Sequence, residues 1–314
     1  MDSELVCDRA EGALLGLAVG DAVGTTLEFS ARDTQPRLTD MIGGGPFQLP
    51  AGTWTDDTSM ALALADSLIQ RGSLDPRDVM ARFVNWWRWG AYSATGQCFD
   101  IGITTRTALA SFERDGNPLA GSDDPMSAGN GSLMRLAPIA IWGVRAGENT
   151  MREAARVQSA TTHAAQQCLH ACEGFAVILR AAILGASFPD AVRAAEGIGA
   201  DPVRSILAGD WRGKMRAEIR SSGYVAHSLE AALWCVEETS DFREAILLAA
   251  NLGDDADTTA AITGQIAGAL YGRDGIPEGW RQKVAWGAEI TATARSLLLG
   301  TPDCSITPPA SPAA

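Results

Sequence analysis

Thr55-Asp56-Asp57-Thr58-Ser59-Met60-Ala61-Leu62-Ala63-Leu64-Ala65 sets four oxygen-bearing side chains in a row against an apolar, alanine-rich stretch. Met60, Leu62, Leu64, Leu68 and Ile69 have the spacing of a mostly buried helix. The same order returns near the other end, where Asp254-Asp255-Ala256-Asp257-Thr258-Thr259 runs into Ala260-Ala261-Ile262-Thr263-Gly264-Gln265-Ile266-Ala267. The two acidic clusters are far apart in the chain, so only folding can join them. If it does, five carboxylates converge where an apolar core begins. Repulsion among buried anions is severe, and bound cations are the usual remedy.

Working outward, helical periodicity continues nearly throughout. Val79, Phe83, Val84, Trp86 and Trp87 follow an Asp75-Pro76 start signal. Further helices are expected over Arg152–Ser159, Ala164–Leu184, Phe188–Glu196, Ser228–Glu238, Phe242–Ala250 and Trp280–Leu299. Only Leu27–Ser30 and Leu38–Ile42 could be short strands. Long polar, glycine-rich connections at 43–52, 116–131 and 201–224 are candidates for function. No linker and no repeat divides the chain. The expectation is an all-α, single compact multi-helix domain over 1–300, followed by a Pro/Ala-rich, disordered tail at 301–314.

The chain has 314 residues, 46% of them hydrophobic and 20% charged, which suits an ordinary globular protein rather than a disordered one. A net charge of −13 argues against a nucleic-acid backbone or an anionic membrane as the main partner. The acidic start Met1-Asp2-Ser3-Glu4-Leu5 lacks the positive region of a secretory signal. The apolar stretch from Ala13 to Val19 is far shorter than the ~20 residues of a membrane helix. Six cysteines do not resemble a disulfide framework in a chain this long. The expectation is a cytoplasmic monomer with reduced thiols.

Each chemistry-bearing residue has a plainer alternative. Asp and Thr before an apolar helix are natural N-caps, and acids there complement the helix dipole. One helix start needs one cap, however, and both clusters supply more. Carboxylates and hydroxyls without Cys or His suit hard cations, Mg²⁺ or Mn²⁺. The residues alone leave capping and metal binding open. Gly12, Gly16, Gly20 and Gly24 recur every fourth position, which fits close helix packing, with Gly20-Asp21-Ala22-Val23-Gly24 ending the helix. No strand precedes them, so they are not a dinucleotide fingerprint. Glu28, between large apolar residues, is either a turn residue or a catalytic acid. Gly129-Asn130-Gly131-Ser132 is a turn with Ser entering a helix, whose open backbone N–H groups suit a diphosphate or serve an ordinary loop and cap. His163, Cys168, His170 and Cys172 invite a zinc reading, but one straight helix cannot converge four tetrahedral ligands. Tyr224 ends a polar loop, where its ring could stack on a base or simply pack.

In order and spacing these residues resemble the ADP-ribosylglycohydrolase family over about Asp8 to Leu299. The landmarks are Gly12-Ala13-Leu14-Leu15-Gly16-Leu17-Ala18-Val19-Gly20-Asp21-Ala22-Val23-Gly24, Glu28-Phe29, Thr55-Asp56-Asp57-Thr58, Phe99-Asp100-Ile101-Gly102, Gly129-Asn130-Gly131-Ser132-Leu133-Met134-Arg135, Thr162-His163 and Asp255-Ala256-Asp257-Thr258. The resemblance implies an all-α fold with a binuclear centre of Mg²⁺ or Mn²⁺. Its ligands would be Thr55, Asp56, Asp57, Asp255, Asp257 and Thr258. It further implies that Gly129, Asn130, Gly131 and Ser132 cradle the diphosphate and that Met134 lines the site. His163 would lie by the phosphates or distal ribose, and Tyr224 would stack on adenine. Asp56 or Asp57 would activate water, Asp100 would face the leaving guanidinium, and Glu28 would assist.

The activity implied is metal-dependent release of ADP-ribose from arginine of a modified protein. Alternatives are hydrolysis of another ADP-ribose linkage (serine, ester or small glycoside) and a non-catalytic, ADP-ribose-binding or crystallin-like relative. Two departures stand out: Asp254 occupies a position where the family often has a second glycine, and His227 one where relatives often carry an acid.

Overall fold

The computed structural model describes residues 3–300, so the expected tail at 301–314 lies outside the described residues. In chain order the helices are α1 (Ser3–Gly24), α2 (Asp56–Arg71), α3 (Pro76–Trp89), α4 (Ile103–Asp115), α5 (Ala137–Ala146), α6 (Glu148–Ala160) and α7 (Gln166–Ile183). They continue with α8 (Phe188–Ala194), α9 (Val203–Leu207), α10 (Val225–Glu237), α11 (Phe242–Ala250), α12 (Ala256–Tyr271), α13 (Glu278–Lys283) and α14 (Gly287–Leu299). Among the described residues no β-strand forms, so the fold is all-α. No described helix is long and apolar enough to cross a membrane.

The glycine series builds the centre of this arrangement. A Cβ placed on Gly12 would strike the carbonyl oxygen of Gly268, and one on Gly16 that of Gly264. Gly20 meets Ala260 in the same way, and Gly24 meets Ala256. Numbers rise along α1 as they fall along α12, so the two helices run antiparallel with their backbones in direct contact. A side chain at any of these glycines would hold the backbones apart. Both helices are buried along most of their length, with Ala10, Leu14, Leu17, Val19, Ile262 and Ile266 in the core. The expected close packing of the first helix is therefore borne out, with α12 as its partner.

That antiparallel seam determines where the acidic clusters meet. The C-terminal end of α1, carrying Asp21, lies beside the N-terminal end of α12, carrying Asp257. The start of α2 is brought to the same place by anchored loops. Trp54, just before the cluster, donates from Nε1 to the Ala285 carbonyl at 3.0 Å and packs edge-to-face on Trp286, ring centroids 5.2 Å apart. On the α12 side, Arg32 donates to three carbonyls, those of Leu252 (2.9 Å), Arg216 (2.6 Å) and Ile219 (2.6 Å), tying three loops together.

Three expectations about local structure need correction. Leu27–Ser30 is not a strand: Thr25–Leu27 is a 3₁₀ turn, and Phe29 takes a positive φ of 59° that no strand contains. Leu38–Ile42 is irregular, held by a side chain, since Asn251 both donates to the Leu38 carbonyl and accepts from its N–H. The expected helix over Trp280–Leu299 is broken between α13 and α14 at Trp286, φ 57°, where the chain turns to grip Trp54 and Gly52.

Candidate active site

The start of α2 is capped from outside. Thr55 occupies the N-cap position but makes no side-chain capping bond. Asp21, reaching from α1, instead accepts from the Thr55 N–H (2.9 Å), the Thr58 N–H (3.1 Å) and the Thr58 hydroxyl (2.6 Å). The Thr55 hydroxyl is within reach of both Asp21 (3.0 Å) and Asp57 (3.1 Å). The start of α12 repeats the device. Asp255 at its N-cap makes no capping bond, while Glu28 accepts from the N–H groups of Ala256 (2.7 Å) and Asp257 (3.2 Å). Orphan amide groups at helix starts must be satisfied somehow. Asp21 and Glu28 take most of this work from the clusters, and of the cluster acids Asp257 spends one oxygen, Oδ1, on the Thr258 N–H (2.7 Å).

Asp21, Asp57 and Asp257 bring carboxylate oxygens within 4.8 Å of one another, and so do Glu28, Asp255 and Asp257. Asp257 belongs to both groups. Asp57 Oδ1 and Asp257 Oδ2 are buried and meet no hydrogen-bond donor. An ionised carboxylate only accepts, so two buried, unpartnered oxygens facing a common space carry a heavy desolvation cost. Burial first, and then the charge of neighbouring acids, holds Asp56, Asp57 and Asp257 well above the ordinary carboxylate range. Burial likewise pushes Asp21 up to about 7, Glu28 to about 8 and Asp100 to about 6. The donor set is all oxygen, of the kind that hard divalent cations take.

Above the acids opens a cavity of about 740 Å³, lined among others by Glu28, Asp56, Asp100, Gly129, Asn130, Gly131, Met134, His163, Asp255, Asp257 and Thr258. Asn130 donates to Asp255 (2.6 Å) and to the Ser228 hydroxyl (2.8 Å), linking the glycine turn to the acids. Of the four amides in Gly129–Ser132, Gly129 donates to the Ser127 carbonyl and Asn130 to that of Gly223. Among the described residues, those of Gly131 and Ser132 have no acceptor. Of these two, only Gly131 lines the cavity, Ser132 being fully buried.

The structure gathers most of the expected residues but not all. Thr55 and Asp57 lie beneath the cavity floor, fully buried. Ser132 does not enter a helix, since α5 begins only at Ala137. Its hydroxyl points into the interior, 2.8 Å from that of Ser159, and the residue does not line the cavity. Tyr224 is half-buried beside the turn, its ring packed edge-on against His227 with centroids 5.0 Å apart. His227 in turn pairs with the Ser222 hydroxyl at 2.7 Å. Asp254 is exposed on the rim and exchanges backbone hydrogen bonds with Phe29 and Ser30, both at 2.8 Å. Its φ of 56° lies in the left-handed region, open to glycine and tolerated by aspartate. Asp254 thus anchors the Glu28 loop through its backbone.

Asp21 is the residue that sequence reasoning passed over. The available signal was an acid alone within an apolar helix, since such a group must find partners once buried. Arg135, between Met134 and Leu136, gave a similar signal.

The sequence model of the ADP-ribosylglycohydrolase family matches residues 2–305. The chain is 49% identical over 294 residues to an ADP-ribosylarginine hydrolase Tri1 of Pseudomonas putida (strain GB-1), covering 94% of this chain and 79% of the relative. It is 47% identical over 298 residues to the Tri1 protein of Serratia proteamaculans (strain 568), covering 94% and 80%. A solved structure described as an ADP-ribosylglycohydrolase-related protein complex superimposes with a TM-score of 0.84 at 39% identity, over 95% of this chain and 99% of that one.

Proposed function

The chain belongs to the ADP-ribosylglycohydrolase family, and from that membership we propose that it releases ADP-ribose from modified arginine side chains by hydrolysis, using divalent cations. The observation that carries the proposal is the pair of carboxylate groups sharing Asp257, in which Asp57 Oδ1 and Asp257 Oδ2 are buried without a donor while Asp21 and Glu28 cap the two helix starts. The names of the two Tri1 relatives support the arginine linkage.

Thr55, Asp56, Asp57, Asp255, Asp257 and Thr258 are the proposed cation ligands, with Mg²⁺ or Mn²⁺ as the ions. Glu28 and Asp21 lie close enough to contribute. When bound, such cations neutralise the acids, bind sugar hydroxyls and tolerate charge developing at the anomeric carbon. The protein's own groups do the rest. The Gly129–Ser132 turn, through the amide of Gly131, holds diphosphate oxygens, and Met134 closes the apolar wall. Asp56, opening into the cavity, orients the attacking water and takes its proton. Asp100 faces the guanidinium and holds it by charge; the group leaves as neutral guanidine, which takes up the proton that Asp56 accepted from water. Tyr224, which does not itself line the cavity, would stack on adenine at its edge.

Two predictions follow from this site. Adding Mn²⁺ or Mg²⁺ at a hundred times its Kd should stabilise the protein by about 2.7 kcal/mol, a rise in melting temperature on the order of 5 °C. Asp57→Asn relieves repulsion without changing shape, so it should raise the melting temperature of chelated protein and blunt the response to cation. Scanning calorimetry checks both, and identical melting of the chelated and cation-loaded wild type would refute the cation site. The second concerns linkage: arginine-linked substrate should be cleaved faster than serine- or ester-linked substrate. Asp100→Asn should lose roughly 10²-fold on arginine but far less on the neutral leaving groups. A panel in which Asp100→Asn slows all linkages equally assigns Asp100 elsewhere, and a preference for serine or ester replaces the arginine reading.

A further inference from the structure

Arg135 is fully buried, yet among the described residues it forms no ion pair. Its guanidinium lies over the Phe83 ring, 4.6 Å from the centroid, and spends its donors on uncharged acceptors. Nε donates to Gln158 Oε1 (3.1 Å), while Nη2 faces the Gln158 carbonyl (3.1 Å), Thr161 Oγ1 (3.2 Å) and Thr162 Oγ1 (2.9 Å). Burying a cation this way is costly, and burial pushes Arg135 down to about 9. Nothing in the reaction as described uses it.

The consequence lies one residue further on. Thr162 Oγ1 is 2.8 Å from His163 Nδ1. A guanidinium has donors only, so the Thr162 hydroxyl must accept from Arg135. Its single proton then has one acceptor in reach among the described residues, His163 Nδ1. Any other choice leaves a buried hydroxyl proton unpaired. Nδ1 is therefore bare, and the neutral ring carries its proton on Nε2. Burial, helped by the Arg135 charge, pushes His163 down to about 3, so the ring stays neutral.

Nε2 lies against the glycine turn. A Cβ on Gly131 would come within 2.7 Å of His163 Cε1 and 3.2 Å of Nε2, and one on Gly129 within 3.3 Å of Nε2. The ring lines the cavity, and Nε2 has no protein acceptor among the described residues. It stands beside Gly131, whose amide has no acceptor among the described residues.

We propose that Arg135 is a positioning residue: through Thr162 it holds His163 as the Nε2–H tautomer, presenting a neutral donor to a ligand oxygen beside the Gly129–Ser132 turn. That the oxygen belongs to a phosphate or ribose of ADP-ribose rests on the function proposed above. The tautomer does not.

The test is two-bond ¹H–¹⁵N spectroscopy of the full-length protein labelled at histidine. There are three histidines, His163, His170 and His227, and a His163→Gln spectrum assigns the signal. The wild type should show Nε2 protonated and Nδ1 as a hydrogen-bonded acceptor, unchanged between pH 5 and 8. Thr162→Ser should preserve that pattern. In Thr162→Val, close in shape, the two nitrogen shifts should move toward each other, and the Kd for ADP-ribose should rise about tenfold. Arg135→Met, where it folds, should behave as Thr162→Val does. A wild-type ring protonated on Nδ1, or a ring unaltered by Thr162→Val, overturns the proposal. A wild type with the expected tautomer that fails to bind ADP-ribose upholds the relay and refutes the functional reading instead.

Discussion

Gly20→Val is expected to yield no folded protein, and Gly20→Ala to cost at least 3 kcal/mol. Ordinary overpacking of a core costs about 1–3 kcal/mol because neighbouring side chains can shift. Here the obstacle is the Ala260 carbonyl and the backbone behind it, inside van der Waals contact of the new Cβ. α12 cannot retreat locally, since Gly12, Gly16 and Gly24 hold it at the same separation elsewhere along the seam. The damage also reaches the site, because Asp21 and Asp257 lie at the ends that this seam aligns. Gly20→Ala protein that does fold should therefore show a weakened melting response to divalent cation. Gly279→Ala in α13 is the control: a Cβ there meets nothing, so the helix should gain up to about 1 kcal/mol. Thermal melts followed by circular dichroism decide the matter. Equal stability of Gly20→Ala and wild type would contradict the packing.

Asp57→Ala combined with Asp257→Ala should lower the rate of ADP-ribose release by roughly 10³-fold or more. Each removes an oxygen that is buried and unpartnered, and Asp257 belongs to both carboxylate groups. The single Asp257→Ala change should therefore account for most of the loss, since residues that act as one unit are not additive. The fold should survive. Without cation the double variant has two fewer buried acids repelling Asp21, Asp56 and Asp255, so its chelated form should melt no lower than that of the wild type. Loss of activity with retained or improved stability is the signature expected of ligands. Loss of both would assign Asp57 and Asp257 a structural role instead.

What could be read in the sequence was what is local. The helical class followed from periodicity, and the spacing of Gly12, Gly16, Gly20 and Gly24 is itself the geometry of a close seam. The acidic clusters were conspicuous because a helix start has no local use for so many oxygens. What escaped was non-local. Asp21 caps α2 across 34 positions and Glu28 caps α12 across 228, so no window around either helix start contains its cap. The inward turn of Ser132 depends on Ser159, on helix α6. Asp254 looked like a surplus carboxylate, whereas its use lies in a backbone conformation, visible only as a dihedral angle. Leu27–Ser30 alternates like a strand, yet the demand for Glu28 at the start of α12 bends it into a turn.

The most direct test of the account is the release of free ADP-ribose from an arginine-ADP-ribosylated protein, measured before and after the enzyme is stripped of divalent cations. Stripped enzyme should release almost none, and Mn²⁺ or Mg²⁺ added back should restore release. Release that survives stripping, or none with either cation, would contradict it.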